Sequence, residues 1–217
     1  MMNTFSKTLA MSSLVAAGLM STQAATAEVS ATADLSSAYL YRGTNLSKGE
    51  AVMSGSLDWA NDTGVYAGIW SSSGDTAGGH ETDLYVGYAA DMGAMSYDVM
   101  YGSYFYAGND DLNDYAEVLF TLAMDAASVQ VVKNTDTGKN GDYLYLAFAY
   151  EMDKYTMTLG NTSGTDITFP TDYTHVDIAY AYNDKLTFTY SQVVEQDKAD
   201  TLDDGGLFVV SYSLPID

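Results

Sequence analysis

The sequence lacks cysteine and is poor in positive charge, with eight lysine and arginine residues among 217 and Arg42 as its only arginine. The absence of cysteine excludes disulfides and thiolate metal sites. The formal charge of −21 argues against nucleic acid and anionic membrane surfaces as partners, because both require clustered positive charge. It favours cations as partners.

A long apolar run is also missing after the first 27 residues. Those residues have the layout of a signal peptide, with basic Lys7, an apolar run over 9–20 and small residues at 25–27. We predict cleavage before Glu28, with cleavage after Ala24 as the alternative. The mature chain, 28–217, is then one domain, and its longest apolar run is too short to be a transmembrane helix, which takes about 20 residues.

What the mature chain does contain is alternation of apolar and polar residues, which is typical of β-strands with one apolar face. We predict twelve strands, with ten or fourteen as alternatives, and no helical pattern. Six long and five short connections alternate between them. The predicted strands are 29–41, 51–59, 65–70, 84–88, 97–106, 116–122, 129–133, 144–150, 155–160, 173–182, 186–190 and 208–214.

Alternating long and short connections indicate an all-β, antiparallel, up-and-down transmembrane barrel with long extracellular loops and short periplasmic turns. A soluble sandwich gives no reason for such alternation. So short a chain also leaves almost nothing to plug a twelve-stranded barrel. The faces predicted to contact outer-membrane lipid include Ala116/Val118/Phe120, Leu144/Leu146/Phe148, Val176/Ile178/Tyr180 and Phe208/Val210/Tyr212. Which face of the third strand points inward stays open.

On the predicted strands, the residues that alternate with the lipid-facing ones include charged residues. Their side chains would all point into the barrel interior. We predict that these residues form a cluster setting a constriction, with a purely structural salt-bridge network as the alternative. Inward tyrosines such as Tyr85, Tyr104, Tyr115, Tyr143 and Tyr145 would narrow the interior further. The predicted cluster consists of Arg42, Glu81, Asp83, Asp98, Glu117 and Asp177.

The long connections are acidic and contain few lysines. They are interpreted either as a cation-attracting vestibule with loose Ca²⁺ sites or as solubilising loops, because no spacing matches an EF-hand. Their acidic residues are Glu50, Asp75, Glu81, Asp110, Asp111, Asp114, Asp136, Asp142, Asp166, Asp172, Glu195, Asp197, Asp200, Asp203 and Asp204.

An enzyme is a weaker hypothesis. The two histidines are His80, in a predicted loop, and His175, on an inward parity beside Asp177. No Gly-x-Ser-x-Gly segment accompanies them, so the sequence predicts no catalytic site. It predicts no metal and no cofactor either.

Several segments look familiar: Tyr39–Gly43, Gly64–Ser71, Glu81–Tyr88, Ser96–Val99 and Asp114–Val118. Together they resemble the TorF family of porins in the outer membrane of Gram-negative bacteria. The resemblance covers roughly residues 35–120 and implies passive diffusion of small hydrophilic solutes. The chain departs from outer-membrane barrels in ending on Asp217, where the assembly machinery commonly reads an aromatic residue. Phe208 and Tyr212 are candidates to replace that signal.

The predicted function is therefore an outer-membrane porin that prefers cations. The alternative is a structural or adhesive barrel whose interior is closed.

Overall fold

The computed structural model describes residues 28–75, 79–107, 115–135, 142–164, 171–197 and 202–216. Twelve strands form one closed antiparallel barrel, in which each strand pairs with its neighbours along the chain and β1 pairs with β14. This confirms the predicted fold class and strand number. None of the described segments is a helix long and apolar enough to cross a membrane.

Several barrel strands, such as β5, β6 and β13, are longer than the apolar pattern alone predicted. Two further short strands, β2 (Leu40–Tyr41) and β3 (Thr44–Asn45), pair only with each other. The barrel strands are β1 (Glu28–Ser36), β4 (Val52–Ala60), β5 (Val65–Asp75), β6 (Gly79–Met92), β7 (Met95–Tyr106), β8 (Ala116–Met124), β9 (Ala127–Asn134), β10 (Tyr143–Met152), β11 (Tyr155–Gly164), β12 (Tyr173–Ala181), β13 (Leu186–Gln196) and β14 (Leu207–Ile216).

Tight turns join the strands at one end of the barrel, which we call the short-turn end. In the turn after β4, the side-chain oxygen of Asn61 accepts hydrogen bonds from the backbone of Thr63 at 3.0 Å and Val65 at 3.2 Å, and Gly64 has a φ of 93°. Asp125 and Asp153 take positive φ in two other turns. Asn, Asp and Gly tolerate this conformation best, which is why these residues end the strands.

The opposite end carries most of the longer connections, and we call it the long-connection end. One predicted long connection, 71–81, is wrong: β5 continues to Asp75 and β6 begins at Gly79, leaving 76–78 between them. Backbone pairing continues where the apolar pattern stops, with Ser72 opposite Glu81. The Ser71 hydroxyl adds a side-chain hydrogen bond to the carbonyl of Glu81 at 2.7 Å. Glu81 is therefore a strand residue rather than a loop residue.

The outer surface is apolar and the inner surface polar or aromatic. Val118 and Phe120 on β8 point outward while Glu117 and Leu119 are buried inside. On β5 Ile69 is exposed and Tyr66 is buried, so the face containing Val65, Ala67 and Ile69 is the outer one. Exposed aromatic side chains collect on the outer surface near the short-turn end: Trp59, Tyr88, Tyr150, Tyr155 and Tyr182.

The first strand ends earlier than predicted. Alternation continues to Tyr41, but β1 stops at Ser36, where the Ser36 hydroxyl donates to the carbonyl of Ala38 at 2.8 Å. The chain then turns into the barrel, and residues 39–46 form a small hairpin, which we call the lumen hairpin. Tyr39 and Tyr41 are buried inside the barrel. The expectation that the chain leaves almost nothing to plug the barrel is therefore wrong.

Several predictions fall outside the described residues. They are the signal peptide, 1–27, and the acidic loop residues Asp110, Asp111, Asp114, Asp136, Asp166 and Asp200.

Candidate functional site

The lumen hairpin turns at Arg42 and Gly43, whose φ values are 45° and 84°. Two consecutive positive φ values are typical of a type I′ turn, the tightest connection in a β-hairpin. An arginine rarely adopts this conformation, so the surrounding contacts must hold it there. Gly43 is required for a second reason: an added Cβ would overlap the Cβ and Cγ atoms of His175.

Arg42 anchors the hairpin to β8. Its two terminal nitrogens donate to the two carboxylate oxygens of Glu117 at 2.9 and 2.8 Å, a bidentate pair that lies almost wholly buried. Tyr104 and Tyr115 also donate to Glu117, at 2.8 and 2.9 Å. Both charges are therefore compensated, as a buried ion pair requires.

Aromatic rings surround the guanidinium. Its carbon lies 4.6 Å from the ring centroid of Tyr41, 5.0 Å from that of Tyr145 and 5.3 Å from that of Tyr143. These are cation–π distances, which add to the ion pair in a desolvated site. Tyr143 and Tyr145 of β10 thus contact the Arg42 side chain, which Glu117 of β8 also binds.

A second anchor joins the start of the hairpin to β6 and β7. Tyr39 donates to one carboxylate oxygen of Glu81 at 2.8 Å, and Tyr106 donates to the other at 2.9 Å. The ring of Tyr39 also packs against Trp70 of β5, with 5.9 Å between centroids. On the far side, Tyr173 of β12 donates to the carbonyl of Arg42 at 2.7 Å.

Asp83 differs from its neighbours. Its carboxylate is as deeply buried as that of Glu117, at 0% exposure for each residue. Neither Asp83 oxygen has a hydrogen-bond partner in the described part of the chain. A buried carboxylate without a donor is destabilising.

The remaining two members of the predicted cluster lie apart from Arg42. Asp98 accepts a hydrogen bond from Tyr66 at 2.7 Å, nearer the short-turn end. Asp177 bonds His175 at 3.1 Å and accepts from Ser191 at 2.6 Å. The structure thus groups Arg42, Glu81, Asp83 and Glu117 around the hairpin.

The contacts of His175 bear on the enzyme hypothesis. Its second ring nitrogen lies 3.1 Å from the hydroxyl of Tyr145. Ser191 bonds the carboxylate of Asp177, whereas a catalytic serine would bond the imidazole. His80, predicted in a loop, lies in β6 near its start.

Metal binding requires several converging ligands. Within the described ranges, no group of three or more histidine or acidic side chains is arranged to hold a metal ion.

Sequence reasoning missed the hairpin, although it singled out the stretch that forms it. It also missed Tyr39, Tyr106 and Tyr173 as residues that hold the hairpin in place. The available signal was Gly43, since glycine is favoured at the second position of a two-residue hairpin turn. Arg42 is not a residue that favours the first position, and Thr44 and Asn45 do not continue the apolar pattern.

The fold and its interior define the class: a closed twelve-stranded antiparallel barrel with a folded-in hairpin. The chain belongs to the family described as "Bacterial protein of unknown function (Gcw_chp)", whose model matches residues 20–198. No curated protein matches it significantly in sequence.

The solved structures similar to this chain include porins. A KdgM porin superposes with a TM-score of 0.51 at 9% identity, covering 88% of this chain and 99% of that one. The KdgM porin in complex with disordered oligogalacturonate gives 0.49 at 8% identity over 88% and 99%. OccK5 (OpdH) of Pseudomonas aeruginosa gives 0.41 at 10% identity over 77% and 59%. At these identities the similarity concerns the fold.

Proposed function

We propose that this protein is an outer-membrane porin through which small hydrophilic solutes diffuse, with a preference for cations. The observation that carries the proposal is the charge inside the barrel. Arg42 is the only lysine or arginine whose side chain lies inside among the described residues, and Glu117 neutralises it. Carboxylates that point inward include Asp34, Asp58, Glu81, Asp83, Asp98, Glu117 and Asp177.

An interior lined by carboxylates attracts cations and repels anions, since the low-dielectric wall of a membrane barrel strengthens the interaction. The acidic residues of the connections add a potential at the mouth. Exposed charges are screened beyond roughly 8 Å at physiological salt. We therefore expect the contribution of the connections to fade as salt rises, while that of the wall persists.

The membrane location rests on the outer surface. Its exposed apolar side chains, with aromatic residues gathered near the short-turn end, are what a transmembrane barrel presents to lipid and its interface. We propose export through a signal peptide, 1–27, and insertion by the outer-membrane assembly machinery. We also retain TorF membership as a proposal, supported by the quoted segments.

Reversal potentials of purified protein in planar bilayers under a KCl gradient test the proposal. Discrete conductance steps with a potential favouring K⁺ are the expected result. Steps that favour Cl⁻ at both low and high salt would contradict the cation preference. Heat-modifiable migration in detergent gels tests the barrel class separately, and recovery of folded protein in a soluble periplasmic extract would contradict it.

A second candidate is a structural or adhesive barrel with a closed interior. The observation in its favour is the filling of the long-connection half by the hairpin and by buried tyrosines such as Tyr104, Tyr115 and Tyr143. Persistent silence of correctly folded protein in bilayers would support this alternative.

A further inference from the structure

The lumen hairpin does not fill the barrel evenly. A cavity of about 280 Å³ lies between its tip and the wall formed by β13 and the last connection. The hairpin contributes Gly43–Leu46, and β13 contributes Ser191 and Val193. The rest of the lining comes from Leu202, Asp203, Gly205, Gly206 and Leu207.

The other sides of the hairpin make direct contact with the wall. Tyr39 bonds Glu81 on β6, Arg42 bonds Glu117 on β8, and Tyr173 on β12 bonds the carbonyl of Arg42. No route for a solute can pass through these hydrogen bonds without breaking them. The cavity is space beside the hairpin that these contacts leave open.

The cavity lining offers side-chain oxygens that can accept hydrogen bonds, and the amide of Asn45, whose oxygen already accepts from the backbone of Gly49 at 3.0 Å, adds an NH₂ donor. The hydroxyl of Ser191 donates its hydrogen to Asp177 at 2.6 Å, and that of Thr44 donates to the carbonyl of Tyr41 at 2.6 Å. Both hydroxyl oxygens are thus left with lone pairs to offer. Asp203 adds a carboxylate, and no lysine or arginine contributes to the lining.

We infer that the permeation path runs through this cavity, between the hairpin tip and β13, and that its oxygen lining selects small hydrated cations. The inference rests on the proposed porin function and specifies its route. The cavity volume of about 280 Å³ accommodates a small hydrated cation, because one water molecule takes roughly 30 Å³ in the liquid. Asp177, bonded to Ser191, extends the acidic lining inward from the cavity.

Cysteine modification tests the route, and the chain offers a background with no cysteine. Ser191→Cys places a thiol in the cavity. Ser72→Cys is the matched control, because Ser72 is an equally buried serine facing inward from β5, where the wall contacts the hairpin. A methanethiosulfonate carrying a trimethylammonium group is added to single channels in KCl.

We expect the reagent to reduce K⁺ conductance severalfold in Ser191→Cys and to leave Ser72→Cys unchanged. Val193→Cys is a second variant in the same lining and should behave like Ser191→Cys. Block of Ser72→Cys alone, or of none of the three, would overturn the route while leaving the porin function intact. Wild-type protein that conducts no ions would instead overturn the proposed function, and the route with it.

A charge substitution tests whether the cavity selects cations. Asp203→Lys changes a residue of the lining, and Asp204→Lys changes its neighbour, which is exposed as Asp203 is but lies outside the lining. In 1 M KCl, where screening acts over roughly 3 Å, we expect only Asp203→Lys to lower the K⁺ over Cl⁻ permeability ratio, by severalfold. Equal effects of the two substitutions would contradict cation selection in this cavity.

Discussion

The two sides of the barrel interior differ in how they contact the lumen hairpin. Toward β6, β8 and β10 the wall presents tyrosines and carboxylates that bond the hairpin directly, as Glu81 and Glu117 do. Toward β13 it presents smaller side chains, Ser191 and Val193, across a cavity. Large aromatic residues with polar tips close one side of the interior, while short residues leave the other side open.

On the side of the barrel that bonds the hairpin, the buried carboxylates also differ in their hydrogen-bond donors. Glu117 and Asp83 lie on β8 and β6 and are equally buried, yet Glu117 has Arg42 and two tyrosines as donors. Asp83 has no donor among the described residues. One buried carboxylate thus holds the hairpin in place, while the other is a destabilising feature of the same wall.

The largest effect is expected from Arg42→Ala, which removes the partner of Glu117. An uncompensated buried charge costs about 3–5 kcal/mol, so the unfolding midpoint in urea should fall markedly. Adding Glu117→Gln to Arg42→Ala should recover part of the loss, because the charge left behind is removed. No change in midpoint for Arg42→Ala would show that the ion pair does not hold the hairpin.

Gly43→Ala should have the next largest effect. Its φ of 84° is strained for any residue with a Cβ, and that Cβ would overlap His175. Strain and overlap together cost about 2–4 kcal/mol. The measurement is again the urea midpoint.

Gly49→Ala is the matched control for that substitution. Gly49 has a nearly identical φ of 83°, but the nearest atom to an added Cβ is Asn45 Nδ2 at 3.9 Å. It therefore reports the backbone strain without the overlap. Equal losses at the two glycines would mean that the hairpin tip does not lie against His175.

The smallest effect, and one of opposite sign, is expected from Asp83→Asn. Replacing a buried carboxylate without a donor by a neutral amide should stabilise the barrel by about 1–3 kcal/mol. The comparison is Glu117→Gln, which weakens the bond to Arg42 and should destabilise it. If both substitutions shift the urea midpoint in the same direction, the distinction between the two carboxylates is wrong.

The strand pattern was predictable because each strand has one face toward the apolar exterior. Leu144, Leu146 and Phe148 illustrate this, since all three are exposed outward. Strand ends were less predictable where polar residues continue the ladder. Along 71–75 of β5 the apolar alternation has stopped, and the hydrogen bonds to β6 carry the strand on.

The site was predictable only in part. Parity placed Glu81, Asp83 and Glu117 on inward faces, because side chains alternate along a strand. The alternation of side chains could not show which of these carboxylates binds Arg42, since Glu117 lies 75 positions away along the chain. The hairpin itself escaped prediction because Tyr39 and Tyr41 continue the alternation of β1, although the strand ends at Ser36.

The most direct test of the account is the single-channel conductance of a variant without the hairpin. Ser36 and Val52 are register partners in β1 and β4, so residues 37–51 can be replaced by an Asn-Gly turn. Glu117→Gln accompanies the change, so that Glu117 is not left charged without Arg42, and the chain carrying Glu117→Gln alone is the control. We predict conductance steps several times larger than those of the control, with weaker discrimination between K⁺ and Cl⁻. Steps of the same size in a correctly folded variant would contradict the claim that the hairpin narrows the barrel.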